Sequence, residues 1–191
     1  PALSASRVAG LAQGRSGFSA QAAQGLLDLL NSGAEPEVPL LGSLGESDLA
    51  PLAHLSLALS VPLTGKDGLA LVSANAASVG LGALLVAEAQ QVLAAVLAAL
   101  ALSCEGYRAN LSPFQPWASR LRPAPGQTEQ SAALLQWLAG GELADSPRRL
   151  QAPLSFRCSA VVQGAAQLPL QQLHELVELE LRSVVDNPAL I

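Results

Sequence analysis

The sequence predicts an all-α protein, and three observations support this class. Apolar residues recur with helical periodicity along almost the whole chain, and no run has the alternation of a convincing strand. Prolines and glycines cluster between the periodic segments. One segment, residues 69–104, is apolar nearly all round, which is typical of a core helix. We therefore expect residues 1–191 to form a single helical domain, a bundle of long helices.

The first two predicted helices are short. Residues 4–13 have an amphipathic helical pattern. Ser19 is predicted to be the N-cap of a second helix, which Gly33 closes. A proline-containing connection over residues 34–44 leads to the third helix.

The third helix is predicted to begin at Ser47 or Asp48, either of which can serve as its N-cap. Pro51 falls in its first turn, where the missing N–H of proline costs nothing. The helix is expected to end near Ser60, because a proline and a glycine follow.

Residues 69–104 form the longest predicted helix, and Glu88 is its only charged residue. If continuous, it would measure about 50 Å. Its longest strictly apolar run, residues 92–102, is shorter than the roughly 18 residues that a membrane span needs. We interpret the segment as the buried core of a bundle and expect no membrane partner.

The last third of the chain is predicted to contain two helices after a proline-rich loop at residues 113–125. The first helix covers residues 130–138, with Trp137 expected in the core. The second covers about residues 161–184, and Pro169 is expected to kink or split it.

Composition limits the partners and the cellular compartment. The net charge is −5 and the pI is about 4.9, which argues against nucleic acid or an anionic membrane as a partner. Cys104 and Cys158 form neither a disulfide framework nor a metal-ligand cluster, and we interpret them as buried thiols in a reducing compartment. No signal-peptide pattern begins the chain, so a cytoplasmic location is expected.

The chain has more apolar surface than its own core needs. Half of the residues are hydrophobic, and 13% are charged, compared with roughly 25% in typical domains. This composition predicts either extensive packing against other subunits or a segment of a larger body. The sequence starts at Pro1 and contains no Met, so a fragment of a longer protein is one interpretation.

The most informative segment is residues 42–54, Gly-Ser-Leu-Gly-Glu-Ser-Asp-Leu-Ala-Pro-Leu-Ala-His. It resembles the electrophile loop of histidine and aromatic amino acid ammonia-lyases, Gly-Ser-x-Gly-Ala-Ser-Gly-Asp-Leu-Ala-Pro-Leu-Ala-His. In that family the Ala-Ser-Gly triplet cyclises and loses two waters, which gives a methylidene-imidazolone that attacks the substrate. Here Glu46-Ser47 stands where three residues should be, and the glycine is absent.

This difference affects the chemistry directly. The ring closes when the amide nitrogen of the third residue attacks the carbonyl carbon of the first, through a compressed backbone that glycine reaches most easily. Asp48 follows Ser47, and its anion would oppose the negative charge that develops on the electrophile. We expect that Ser47, at the family's electrophile position, is not cyclised and that the chain has no methylidene-imidazolone or other cofactor.

Five further segments resemble family motifs and follow in family order. No single match is specific, but their order together with the loop is. The region corresponds to the middle of the family's longer chain, and the resemblance implies long near-parallel helices from several subunits, assembled as a homo-oligomer, a tetramer in the family. The matching segments are Gly14-x-Ser16-Gly17, Lys66-Asp67-Gly68-Leu69-Ala70-Leu71, Arg122-Pro123-x-Pro125-Gly126-Gln127, Ser155-Phe156-Arg157-Cys158 with Val162-x-Gly164-Ala165, and Asp186-Asn187-Pro188.

Departures from the family pattern fall on its active site. Ser73 stands where the family has an Asn that supports the electrophile and the substrate, and Asn75 lies two residues further on. Ala152 and Leu154 stand where the family has an Asp and an active-site Tyr. A family segment between His54 and Lys66 is also missing.

Two polar residues of the family site are retained. Arg157 stands where the family grips the substrate carboxylate, and Gln151 belongs to the same site. For Arg157 a structural ion pair is the equal alternative. We interpret His54 as a structural residue and His174 as a surface residue, because neither has a metal ligand at suitable spacing, and no metal is expected.

Three functions remain open. The leading hypothesis is a non-lytic relative of the ammonia-lyases, a scaffold or partner subunit that binds an amino acid through Arg157, Gln151 and Ser73 without cleaving it. The second is part of an active histidine or aromatic amino acid ammonia-lyase, completed by neighbouring subunits or by further polypeptide, which releases ammonia and an alkenoic acid. The third is a decayed gene fragment without function.

Overall fold

A computed structural model describes residues 1–39, 41–141, 146–186 and 189, and within them the chain forms helices and turns with no strand. The predicted all-α class is confirmed. The helices are α1 (Ala2–Leu11), α2 (Ala20–Asn31), α3 (Leu49–Ser56), α4 (Asp67–Val72), α5 (Ala76–Tyr107), α6 (Pro116–Leu121), α7 (Gln127–Trp137), α8 (Leu154–Arg157) and α9 (Ser159–Leu181), with a 3-10 turn at Ser112–Phe114.

The chain divides into two compact units. The first comprises Pro1–Leu85 with His174–Ile191, and the second comprises Val86–Leu173. Each unit has a hydrophobic core of its own. The single domain expected over residues 1–191 stays a prediction.

In the first unit, local capping begins the helices as the sequence predicts. Ser19 caps α2, because its Oγ accepts a hydrogen bond of 3.2 Å from the backbone N–H of Ala22. The same residue donates from its N–H and its Oγ to the carboxylate of Asp67 at the start of α4. These bonds join α2 to α4 beside a core of Leu26, Leu52 and Leu55.

In the second unit, Phe114 and Leu134 lie in a core with Cys104 of α5. Two glycines allow its backbones to approach closely. A Cβ on Gly164 of α9 would lie 2.5 Å from the carbonyl carbon of Gly126, which starts α7 with a φ of 76°. Glycine is required at both positions, since neither backbone has space for a side chain.

The longest helix differs from its prediction. Instead of one helix over residues 69–104, α4 ends at Val72 and α5 begins at Ala76. The backbone leaves helical geometry at Ser73, where ψ is 60°. The break has a long-range cause, since the carbonyl of Ala74 accepts a hydrogen bond from the N–H of Asp48.

The segment Asp67–Tyr107 is long and apolar enough to cross a membrane by length and composition, with a mean hydropathy of 1.9 in its most apolar window. Counting only strictly apolar residues, as for the run over residues 92–102, is a narrower criterion than averaging hydropathy over a window. Core helices of water-soluble proteins pass the same test, and 39% of this window is buried in the chain.

Three smaller predictions are corrected. Helix α3 ends at Ser56 and is followed by turns, rather than reaching Ser60. Trp137 is 63% exposed, so its predicted place in the core is wrong for this chain. Helix α9 is continuous through Pro169, so that proline does not split it.

Candidate functional site

The loop before α3 is exposed and turns sharply. Gly42 and Gly45 have φ values of 126° and 83°, and Ser47 has a φ of 58°. A positive φ is uncommon for a residue with a Cβ, so the backbone at Ser47 is strained. The hydroxyl of Ser43 donates a hydrogen bond of 3.3 Å to the carbonyl of Ser47 and holds this turn.

Asp48 anchors the loop to the start of α5. Its N–H donates to the carbonyl of Ala74 over 2.8 Å. Its carboxylate accepts hydrogen bonds from the N–H of Ser78 over 2.7 Å and from the Ser78 hydroxyl over 2.8 Å. Although Asp48 precedes α3, its side chain makes no capping bond to that helix. It therefore caps α5 instead, 30 residues along the chain.

This anchoring bears on ring formation. In the family chemistry the attacking nitrogen belongs to the residue that follows the second Ser of the loop, which here is Asp48. That nitrogen already donates a hydrogen bond to the carbonyl of Ala74, and Asp48 is buried, with 6% of its surface exposed. Ring closure at Ser47 would have to break this hydrogen bond and move the cap of α5.

Ser73 lies beside the anchored loop, half-buried in the break between α4 and α5. The bond between Asp48 and Ala74 brings the backbone next to Ser47 to the backbone next to Ser73. The amide of Asn75 donates to the carboxylate of Glu180 over 2.7 Å. The side chain of Asn75 is thus hydrogen-bonded to a residue of α9, and it does not replace the family Asn that supports the electrophile and the substrate.

Gln151 and Arg157 both belong to the second unit. The Nε of Arg157 donates to the carbonyl of Ala152 over 2.9 Å, and Ala152 directly follows the exposed Gln151 in the chain. Within the described ranges no carboxylate lies within ion-pair distance of Arg157, so the structural ion pair considered above has no partner there. Leu154 is 62% exposed and presents an apolar side chain at the position of the family's Tyr.

The other titratable residues that the structure describes form no metal centre. His54 is exposed in the last turn of α3, and Nε2 of His174 lies 3.4 Å from Glu178. In the described part of the chain, no three His, Cys, Asp or Glu residues are placed to hold a metal ion. Burial raises the pKa of the Cys104 thiol to about 11, while Cys158 is half-buried.

Two residues with structural roles are not predicted from the sequence. Ser78 donates hydrogen bonds to the carboxylate of Asp48, but nothing about a serine in an Ala-rich helix indicates so distant a partner. Arg7 is 1% exposed and lies 2.6 Å from Asp186, while its Nη2 donates to the carbonyl of Ala70. Asp186 belongs to a motif matched above, whose Asn187 and Pro188 lie outside the described residues.

Comparison with known proteins places the chain among related sequences. Residues 2–61 and 60–191 match the family described as aromatic amino acid lyase. Histidine ammonia-lyase from Streptococcus sanguinis is 32% identical over 210 residues, which cover 95% of this chain and 41% of the relative. The corresponding enzyme from Gloeobacter violaceus is 35% identical over 207 residues, 93% of this chain and 40% of the relative.

Solved structures have the same helical fold. Phenylalanine aminomutase from Pantoea agglomerans has a TM-score of 0.87 and 28% identity, over 98% of this chain and 45% of its own. Histidine ammonia-lyase from Trypanosoma cruzi has a TM-score of 0.85 and 27% identity, over 99% of this chain and 40% of its own. The chain therefore spans about two fifths of the length of the curated relatives it matches.

The matches also indicate missing residues. An alignment over 210 residues exceeds the 191 residues of this chain, so the chain lacks positions that the relative has. The family match is in two parts, residues 2–61 and 60–191, which overlap at residues 60 and 61. This overlap lies between His54 and Lys66, where the family resemblance predicts a missing segment.

Proposed function

Since the chain belongs to the aromatic amino acid lyase family, we propose that it is a non-lytic member, which binds an amino acid but does not eliminate ammonia from it. In this proposal the chain serves as a scaffold or partner subunit in a homo-oligomer, a tetramer by analogy with the family. Its loop contains no methylidene-imidazolone, and it needs no other cofactor or metal.

The observation that carries the proposal is the hydrogen bond that the backbone nitrogen of Asp48 donates to the carbonyl of Ala74. The shortened loop presents this nitrogen as the nucleophile for ring closure at Ser47, and it donates instead to the carbonyl of Ala74. The carboxylate next to it is held by two bonds from Ser78. This nitrogen cannot attack the carbonyl carbon of Glu46 without losing its hydrogen bond to Ala74 and displacing the carboxylate that Ser78 holds.

The second unit supports the same conclusion. Ala152 and Leu154 supply neither the carboxylate nor the phenol hydroxyl that the family has at these positions, and Ala152 is buried. Neither position therefore provides a general acid or base that could transfer a proton to or from a substrate.

Arg157 supports binding of an amino acid. Only its Nε is engaged within the described chain, so the two terminal nitrogens can form a fork with a carboxylate. Gln151 is exposed and can donate to the same ligand. We propose that these two residues hold an L-amino acid, while a substrate contact from Ser73 of the first unit stays a prediction of the family resemblance.

The exposed apolar side chains support the proposed assembly with further copies. Leu81, Leu84 and Leu85 of α5 are each more than half exposed in the first unit, and Leu176 and Leu179 of α9 are also exposed. Apolar faces of this kind require cover in water. A cytoplasmic homo-oligomer without nucleic acid or membrane partners fits these faces and the acidic composition.

Binding is tested by titrating the full chain with L-histidine and L-phenylalanine in a calorimeter. Arg157→Ala is expected to weaken binding at least about tenfold, because a charged hydrogen-bonded fork is lost. Arg149→Ala, which changes an exposed arginine of the same unit, is the matched control and is expected to bind normally. Equal affinity in Arg157→Ala and wild type would remove the carboxylate role.

The lytic alternative predicts a different result. If the chain is part of an active lyase, the full-length protein releases ammonia and an alkenoic acid from one of these amino acids. We expect neither product, and the appearance of both in stoichiometric amounts would overturn the proposal. The names of the curated relatives make L-histidine the first substrate to test.

A further inference from the structure

The segment that carries Gln151 has no regular structure of its own. Residues 146–153 form neither helix nor strand, and all of them except Ala152 are exposed. Arg157 lies at the end of α8, which follows this segment directly. An exposed segment of this kind keeps a side chain in one place only where other parts of the fold anchor its backbone.

Arg108, at the end of α5, anchors the beginning of the segment. Its Nε donates a hydrogen bond to the carbonyl of Ser146 over 2.7 Å, and its Nη2 donates to the Ser146 hydroxyl over 2.6 Å. Its own carbonyl accepts a hydrogen bond of 2.9 Å from the N–H of Arg148. One residue thus forms three hydrogen bonds with the segment.

The backbone of Arg108 is strained. Its φ is 57°, in the left-handed region that favours glycine, and it directly follows Tyr107, the last residue of α5. Glycine is the usual residue at this place after a helix. A glycine would end α5 at a lower conformational cost, but it could not reach Ser146. The arginine therefore indicates a role beyond ending the helix.

Asn110 anchors the backbone immediately before Gln151. Its Nδ2 donates a hydrogen bond to the carbonyl of Leu150 over 2.8 Å. Its Oδ1 accepts a hydrogen bond of 2.9 Å from the N–H of Ser112, which fixes the orientation of the side-chain amide. The peptide group that joins Leu150 to Gln151 is therefore held from the end of α5.

The chain is also held after Gln151. The carbonyl of Ala152 accepts the hydrogen bond from the Nε of Arg157. The ring of Phe156, next to Arg157, stacks on the ring of Tyr107, with 5.0 Å between their centroids. The end of α5 thus contacts the chain before Gln151 and beside Arg157.

We propose that Arg108 and Asn110 are positioning residues for the amino acid site, and that they act through the backbone of residues 146–152 on Gln151. The proposal rests on the proposed function, in which Gln151 and Arg157 hold an L-amino acid. An anchored segment loses less conformational entropy when the ligand binds. Release of either anchor therefore weakens binding without removing a group that touches the ligand.

Arg108→Gly separates positioning from folding. Glycine adopts the left-handed backbone at this position more readily than arginine, so stability in urea should be unchanged or higher. Both side-chain hydrogen bonds to Ser146 are lost, so binding of L-histidine or L-phenylalanine in a calorimeter should weaken about fivefold. A purely structural role does not lower affinity at unchanged stability. Arg122→Gly, at an exposed arginine that also follows a helix of this unit, is the control and should bind normally.

Trypsin reports the anchoring without any ligand, because Arg148 and Arg149 lie in the exposed segment. Cleavage after these residues requires the segment to leave its contacts with α5. Arg108→Gly and Asn110→Ala should each raise the rate of cleavage there at least about fivefold, followed by mass spectrometry of the first fragments. The rate of cleavage after the exposed Arg15 of the first unit should stay the same.

A double-mutant cycle tests whether Asn110 acts through Gln151. Asn110→Ala is expected to weaken amino acid binding about fivefold in the wild-type background and to have no further effect in Gln151→Ala. Asn110→Ser retains an acceptor for the N–H of Ser112 but is too short to reach the carbonyl of Leu150. It provides the same cycle if the alanine variant does not fold.

The proposal and the proposed function fail in different ways. If the wild type binds an amino acid and Arg108→Gly and Asn110→Ala bind it equally well, the positioning role is overturned and the proposed function stands. Additive losses in Asn110→Ala and Gln151→Ala would also overturn it, because Asn110 would then act independently of Gln151. A wild-type chain that binds neither amino acid overturns the proposed function and the positioning role together, whatever the rate of cleavage by trypsin.

Discussion

The carboxylate of Asp48 caps helix α5 by accepting hydrogen bonds from both the N–H and the hydroxyl of Ser78. This contact ties the loop around Ser47 to the first turn of a 32-residue helix. The loop is thus part of the scaffold of the first unit. The same residue whose nitrogen would have to close the electrophile ring is used to begin its longest helix.

Replacing this cap should destabilise the chain. Asp48→Ala is expected to lower the free energy of unfolding by about 1–2 kcal/mol, the usual cost of losing an N-cap. Asp48→Asn retains one acceptor and should cost less. Urea denaturation followed by circular dichroism measures both, and Glu46→Ala, which changes an exposed neighbour, is the control. Equal stability of all three variants would show that the cap has no structural role.

The glycine contact of the second unit gives a sharper test of packing. A Cβ at Gly164 would lie 2.5 Å from the backbone of Gly126, so Gly164→Ala should cost at least about 2 kcal/mol in unfolding free energy. Gly106→Ala is the matched control, because Gly106 is also in a helix and has open space around its Cβ position. The control should be neutral or more stable, by up to about 1 kcal/mol.

The ion pair of Arg7 and Asp186 should behave as a buried pair. The two side chains are 1% and 3% exposed, so Arg7→Met leaves an uncompensated carboxylate and should cost about 3 kcal/mol. The double variant Arg7→Met/Asp186→Leu should cost less than the sum of the two single changes. Arg15→Met, at an exposed arginine of the same unit, serves as control. Additive costs in the double-mutant cycle would contradict the pairing.

Asp67 should make stability depend on acid pH. Burial raises the pKa of this carboxyl, but hydrogen bonds from Thr64 and Ser19 outweigh it, and the pKa is lowered from its ordinary value of 3.8. A lowered pKa stabilises the folded chain above about pH 4, and this contribution is lost as pH falls through the folded-state pKa.

The test compares unfolding free energies between pH 6 and the acid limit of folding, roughly pH 3. Asp67→Asn should show a weaker loss of stability over that interval than the wild type. Glu37→Gln, at an exposed acid, should follow the wild-type curve. If the unfolding free energy of Asp67→Asn falls with pH as steeply as that of the wild type, other groups cause the acid sensitivity.

Local features of the fold are predictable from the sequence. The cap at Ser19 and the end of α2 near Gly33 follow from residue type and spacing alone, and the structure confirms both. The loop at Ser47 is equally visible, because its motif is contiguous. Each of these features depends on neighbours within a few positions in the chain.

Long-range features are not predictable in this way. The break after Ser73 depends on a hydrogen bond from Asp48, and no proline or glycine marks it in the sequence. Trp137 has the residue type of a core position, yet 63% of it is exposed in the second unit. The partners of Asp48 and Arg7 lie far along the chain, so sequence spacing does not indicate them.

The most direct test of the central claim is the mass of the loop in the purified protein. Trypsin releases residues 16–66 as one peptide, since no Lys or Arg interrupts it before Lys66. A variant with Glu46→Ala and a glycine inserted after Ser47 restores the family triplet and is the positive control. We predict that the wild-type peptide has its full unmodified mass. A wild-type peptide lighter by two waters would show that the ring forms and would contradict the non-lytic account.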